Sequence, residues 1–398
     1  MHRNTSVRIE AIDIMRGLTL FLMLFVNDLF EPGVPHWMVH ADANADSMGL
    51  ADWVFPGFLF MVGLSIPFAF ANRRKKGDTT FTMLMHILIR TVSLLVIGIL
   101  IYNGEERLST DLTGMDKLVW LFLLYLSVFL VWNWYPKQSR YAKWFVVLRC
   151  LGGIGLLWLC WVFKAGAPGD VSWLRPGWWG ILGLIGWGYL VAALAYMISG
   201  KKLLYCFLLW LIFIFLNCFS VKGGLDFLAP LSPVLGVITD GNVPSIVIAG
   251  LLIGMVLHKR WFTPWQFVVG LFALGIICIG IGLVLRHWFI LSKIIGTPSW
   301  GMLCNGISMA LFALIYALSD IAGKSGWAYL FKLAGRNSLT TYLSPDMIYF
   351  ASWYFGWPLF FYKQDQHAWL AIVGSLIWAG LMVIYAWLLS RCHIKLKL

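Results

Sequence analysis

The sequence predicts an all-α fold, a polytopic transmembrane helical bundle, and three observations carry that reading. The 398 residues are 60% hydrophobic and only 12% charged, whereas a soluble chain carries about 25% charged residues. Apolar runs of membrane-spanning length recur from end to end, and no polar stretch is long enough for a separate soluble domain. One integral membrane domain over residues 1–398 is therefore expected. The period-2 alternation of a membrane barrel is absent.

Taken in order, the apolar runs place twelve spans near 14–30, 51–71, 82–102, 117–134, 144–163, 177–198, 203–219, 244–258, 265–285, 301–319, 338–356 and 368–390. The first run has no small-residue cleavage site after it, so it is expected to be retained as a span. With the N-terminus in the cytoplasm, 19 Lys and Arg fall in inside segments, among them Arg3, Arg8, Arg73–Lys76 and Lys137, and 8 fall outside. This is the positive-inside pattern, and it predicts that both termini are cytoplasmic. The net charge of +12 thus reads as topology, and no nucleic-acid partner is expected. Seven cysteines, odd in number and without a CxxC, mostly sit inside apolar runs and read as core residues. No internal repeat is visible, which weighs against a transporter.

The richest chemistry lies between His36 and Pro67, where a polar loop with His36, His40, Asp42, Asn44 and Asp46 runs through Asp52 into an apolar helix. An imidazole can accept a proton from an attacking amine or carry an acyl group itself. An Asn amide such as Asn27 can donate to a developing oxyanion, and a carboxylate such as Asp52 can fix the tautomer of the base. Two other readings stay open: a metal held by His36 and His40 with Asp42 or Asp46, and a polar interfacial cluster without a role. Arg16 is expected to snorkel to the inner interface. Arg90 and Arg149 are expected to face the interior, with Asp28, Asp52 and Asp346 as matching anions. Gly335-Arg336-Asn337-Ser338 opens a span in which Pro345 is expected to cause a kink; this start is either an anion seat or a plain N-cap. Gly296–Gly301 reads as an interfacial turn.

These residues resemble a known family. The blocks IEAIDIMRGLTLFLMLFVND and HADANADSMGLADWVFPGFLFMVGLSI are similar to the opening of the membrane acyltransferases typified by lysosomal heparan-α-glucosaminide N-acetyltransferase and its bacterial relatives, the DUF5009 or NagX-like proteins. GRNSLTTYLSPDMIY and Leu174-Arg175-Pro176-Gly177 resemble two further family blocks. This chain reads Ser-Pro-Asp where the lysosomal enzyme has Gly-His-Glu, and residues 117–163 look like an added pair of spans, leaving ten shared. The resemblance implies that an acetyl group moves from cytosolic acetyl-CoA, a co-substrate used without a metal, to an amino sugar or other carbohydrate acceptor on the periplasmic side. The expected location is a bacterial inner membrane. The resemblance implies His40 as the catalytic His with Asn27 as partner, and Asp52 belongs to the same expected site. Asp13, Arg16, Asn44, Arg175, Arg336, Asn337 and Ser338 are the expected substrate-binding positions. The expected partners are the CoA donor, the carbohydrate acceptor and the lipid bilayer, with a homodimer left open. The alternative reading is a sugar transporter or permease of the inner membrane.

Overall fold

The computed structural model describes residues 9–136, 138–363 and 367–398; Arg3, Arg8 and Lys137 of the charge count lie outside them. The chain begins with α1 (Glu10–Asn27), α2 (Leu50–Lys75) and α3 (Thr80–Glu106). A single turn, α4 (Thr110–Thr113), leads to α5 (Lys117–Trp132), α6 (Ala142–Val162) and a small antiparallel hairpin of β1 (Ala165–Ala167) and β2 (Asp170–Ser172). Then come α7 (Gly180–Ile198), α8 (Leu203–Val221), α9 (Ser232–Thr239), α10 (Asn242–Lys259), α11 (Pro264–Leu285) and α12 (Pro298–Tyr316). The chain closes with α13 (Tyr329–Arg336), α14 (Ser338–Phe355) and α15 (Ala368–Arg391).

A helix therefore stands at each of the twelve expected places, and the fold is all-α. Among the described residues, nine of these are long and apolar enough to cross a bilayer. The other three depart for separate reasons. The 16-residue α5 is short. The 18-residue α1 carries Glu10, Asp13 and Arg16. The polar residues of α14 include Thr340, Thr341, Ser344 and Asp346. Local chemistry starts several helices: the Thr79 hydroxyl accepts from the Thr82 N–H before α3, and the Asp116 carboxylate accepts from the Leu118 N–H before α5. Thr263 and Gln266 form a reciprocal capping box at α11.

The centre of the bundle is α2, which packs against α1, α7, α10 and α12. Its contact with α10 needs glycine: a Cβ on Gly63 would lie 1.8 Å from the Val247 carbonyl oxygen, and one on Gly250 would lie 1.9 Å from that of Phe60. Small residues let helix backbones approach where no hydrophobic effect drives them together. Around this centre, α6, α8 and α11 bury little of their apolar surface and face outward. At the far end of the chain, Leu396 is bridged to Asn133 and buried.

Four expectations about polar groups change. Arg149 lies on the exposed α6, over the Tyr135 ring, because that helix has almost no interior face. Arg90 stacks 4.6 Å from the Tyr189 ring centroid. The three aspartates pair with neutral or titratable groups in place of these arginines: Asp28 with Tyr349 at 2.6 Å, Asp346 with Tyr125 at 2.7 Å and Asp52 with His40 at 2.7 Å. Asn337 stands at the N-cap of α14 but its side chain caps nothing, and its buried Oδ1 has no partner among the described residues.

Candidate active site

The polar loop before α2 is held by the helix it feeds. Asp52 is the third residue of α2, almost fully buried, and one of its oxygens accepts from the backbone N–H groups of Ala41 and Gly49, each at 3.0 Å. Its other oxygen meets His40 Nδ1 at 2.7 Å. The carboxylate thus assigns Nδ1 as the donor and leaves the Nε2 lone pair free. His40 keeps 40% of its side chain exposed, so a second molecule can reach that lone pair. Gly49 is required beside it, since a Cβ there would lie 1.9 Å from the Val39 carbonyl oxygen.

A residue that sequence reasoning missed completes this cluster. Lys293 Nζ lies 3.2 Å from His40 Nδ1 and 3.4 Å from Nε2. Near-equal distances to both nitrogens put the ammonium over the ring rather than on one lone pair. Burial holds the Lys293 amine below the usual lysine range, with the Asp52 carboxylate working the other way. The Lys293 loop is clamped to the His40 loop: Asp46 accepts from Arg286 Nε and the Leu291 N–H, each at 2.8 Å, and Ser292 Oγ donates to the Ala43 carbonyl at 2.7 Å. The available sequence signal was the expected turn at Gly296–Gly301, of which Gly296 and Thr297 end this same loop while Pro298–Gly301 instead open α12; nothing in it marks a lysine 253 residues from its histidine.

Asn27 ends α1 and is exposed, without a hydrogen bond to His40 or Asp52 among the described residues. Asn44 is exposed in the same loop as His40, and His36 lies in a one-turn helix four residues before it. Arg175 stands apart from this cluster: its side chain is exposed, while Asn103 holds its backbone N–H and carbonyl. The turn it begins carries Trp178 and Trp179 into the wall of a cavity of about 620 Å³ that Lys293 also lines.

The remaining expected residues gather at the opposite end of α1 and α2. Asp13 lies 3.9 Å from both Arg16 and Arg336, Arg16 bonds Ser65 Oγ, and Ser338 Oγ donates to the Gly335 carbonyl at 3.0 Å. Arg16, Arg90, Arg336 and Ser338 line one cavity of about 410 Å³ whose other walls include Leu20, Met23, Phe58 and Val62. At a rise of about 1.5 Å per residue, Met23 lies about 6 Å below Asn27 and Phe58 about 9 Å below Asp52 along their helices. The two clusters are thus the two ends of one α1–α2 frame.

Comparison with known proteins meets this frame. Residues 8–111 match the family described as heparan-α-glucosaminide N-acetyltransferase, catalytic. The matched stretch holds Asp13, Arg16, Asn27, His40, Asn44 and Asp52, and leaves out Arg175, Arg336, Asn337 and Ser338. The chain is similar to the mouse heparan-α-glucosaminide N-acetyltransferase, 27% identical over 206 residues that make up 46% of this chain and 30% of the mouse protein. It is similar to the human one at 35% identity over 102 residues, 26% of this chain and 15% of the human protein. The matches thus cover less than a third of either relative's length. The segment that carries its polar loop and first three helices is therefore similar to the catalytic part of the heparan-α-glucosaminide N-acetyltransferases.

Proposed function

We propose that this protein is a membrane acetyltransferase that moves an acetyl group from acetyl-CoA to the amine of a carbohydrate acceptor. The observation that supports this most is the His40–Asp52 pair at 2.7 Å, with the carboxylate locked by two backbone amides. In the proposed step, His40 Nε2 takes a proton from the acceptor amine while its nitrogen attacks the thioester carbonyl. The C–N bond forms, the C–S bond breaks, and the proton passes from His40 to the departing CoA sulfur. In this reading Lys293, beside the His40 ring, donates to the carbonyl oxygen as it gains charge, and the Asn27 amide is the second donor. One-step transfer is favoured because it leaves no acyl-imidazole open to water at an exposed histidine.

The arginine cavity suits the donor. Three guanidinium groups offer planar, permanent cations for phosphate, and its apolar walls suit a long uncharged arm leading toward His40. We place this end at the cytoplasmic face of a bacterial inner membrane and the His40 end at the periplasmic face, as the lysine and arginine distribution supports. Asp13 serves there as the acid that orients Arg16 and Arg336.

The test is His40→Ala in purified protein, with radiolabelled acetyl-CoA and a panel of amino sugars. Loss of a general base costs about 10²–10⁴-fold in rate, so transfer falls by that much while CoA still raises the thermal unfolding midpoint. Near-normal transfer by His40→Ala overturns the assignment. Failure of CoA to stabilise the unmodified protein overturns the donor.

A further inference from the structure

One short helix, α9, forms part of the wall of the 620 Å³ cavity beside Lys293, and the exposed face of that helix is apolar. Ser232 and Gly236 of α9, with Asp240 one turn further on, lie four residues apart and line the cavity. The opposite side of the same segment carries Leu231, Val234 and Leu235, all exposed, with Val234 at 51%. The turn before it adds Phe227 at 74%. A helix beside water puts its polar face outward; this one exposes Leu231, Val234 and Leu235 on the side away from the cavity, while Ser232 and Asp240, also exposed, stand at the open side of the cavity. An outward apolar face of this kind lies against acyl chains at the membrane interface. Across the cavity mouth, Ile294 continues the apolar rim at 65% exposure.

Inside, the cavity is amphiphilic as well. Trp179 and Trp300 supply aromatic faces, while Asp240, Asn242 and Lys293 gather polar groups. The Asp240 Oδ1 accepts from Ser220 Oγ at 3.1 Å, and its other oxygen has no hydrogen-bond partner among the described residues. Aromatic rings with a few convergent polar groups suit a sugar ring, whose C–H faces are apolar and whose edge is polar. The free carboxylate oxygen suits an ammonium group.

We propose that the acceptor is an amphiphile: an amine-bearing sugar headgroup seated against Asp240 and Lys293, its hydrocarbon tail leaving past α9 into the bilayer. This rests on the acetyltransferase reading for the use of the amine, but not for the binding. Lys293 joins the two, since it lines the cavity and lies on the His40 ring. A headgroup that approaches from the lipid side reaches His40 without dissolving in water, and the rim selects for the tail.

The test uses the full chain in nanodiscs, with n-dodecyl glucosaminide and free glucosamine as rival acceptors. Acetylation of each by radiolabelled acetyl-CoA gives two kcat/KM values, and equilibrium binding of radiolabelled dodecyl glucosaminide is measured separately in the absence of any donor. The expected result is a kcat/KM at least tenfold higher for the dodecyl compound and saturable binding to it. Gly236→Trp, which fills the cavity, abolishes that binding, and Val234→Asp with Leu235→Asp lowers the dodecyl-to-free ratio at least tenfold. Should Gly236→Trp fail to fold, as seen in its thermal unfolding, Asp240→Asn serves in its place and weakens binding of the amine. Equal kcat/KM for both acceptors overturns the amphiphile and leaves the transferase. Saturable binding without acetylation of either compound upholds the site and overturns the transferase. Neither binding nor acetylation overturns both.

Discussion

At the scale of single residues, Asp52 and Lys293 meet one histidine in different ways, and the proposed step gives them different roles. Asp52→Asn keeps the size of the side chain but replaces an acceptor with a group that can turn a donor toward Nδ1, which favours the wrong imidazole tautomer. Its transfer rate should fall by about 10²-fold or more, with CoA binding intact in a titration; an unchanged rate would show that the tautomer is set elsewhere. Lys293→Met keeps the length and removes the ammonium. A single donor to a developing oxyanion contributes about 10²–10³-fold, so kcat should drop by that much while KM for the donor holds, and Lys293→Arg should recover part of the loss. A Lys293→Met enzyme with normal kcat would reduce Lys293 to a wall of the cavity. His36→Ala should be mild by comparison, because His36 lies in the exposed one-turn helix away from Asp52. His40 and Asp52 were legible in the sequence because a carboxylate at the start of an apolar helix, with a histidine in the loop before it, is costly without a use. Lys293 was not, since its partner sits 253 residues away and a lone lysine in a loop looks like a topology charge.

At the scale of elements, the loop around Asp46 behaves as a clamp. The Leu291 amide, and then the Arg286 guanidinium, hold the Asp46 carboxyl below the usual aspartate range. A depressed carboxylate stabilises the fold above its unfolded pKa of about 3.9 and loses that contribution as pH falls through the lower folded value. The clamp therefore stays closed at pH 5, and any loss of activity between pH 7 and 5 belongs to other groups. Limited proteolysis should find residues 286–297 protected at both pH values in the unmodified protein and cleaved at pH 7 in Asp46→Ala; equal protection of the variant would mean the loop needs no clamp. The helices themselves were readable from apolar runs, because burial in lipid demands length and little else. The errors came where tertiary neighbours decide: Arg149 reads as interior only until α6 is seen on the outside of the bundle, and Asn337 reads as a cap although its side chain caps nothing.

At the scale of the whole molecule, the two clusters sit at opposite ends of one pair of helices, and the proposed sidedness follows from charge alone. In a cysteine-free background, Asp78→Cys should label only from the cytoplasm and Glu31→Cys, in the exposed turn after α1, only from the periplasm. The reverse pattern would invert the topology and with it the side from which acetyl-CoA enters. Arg336→Glu should raise the Kd for CoA about tenfold, the effect of roughly 1.4 kcal/mol; normal binding would move the phosphates to the Arg73–Lys76 cluster. The helix that connects these ends is fused to α10 through Gly63 and Gly250, where backbone meets backbone. So α2 acts as a ruler whose graduations cannot slip. Inserting one alanine between Asp52 and Phe58 would turn the Asp52 carboxylate by about 100° and lift it about 1.5 Å against the arginine-lined cavity, a phase error that no side-chain motion repairs. Inserting four residues, a little more than one full turn, would bring the carboxylate back to within about 40° of its original direction while lengthening the gap by about 6 Å. The pair of insertions thus separates angle from distance, and asks which of the two the two reactants keep in common.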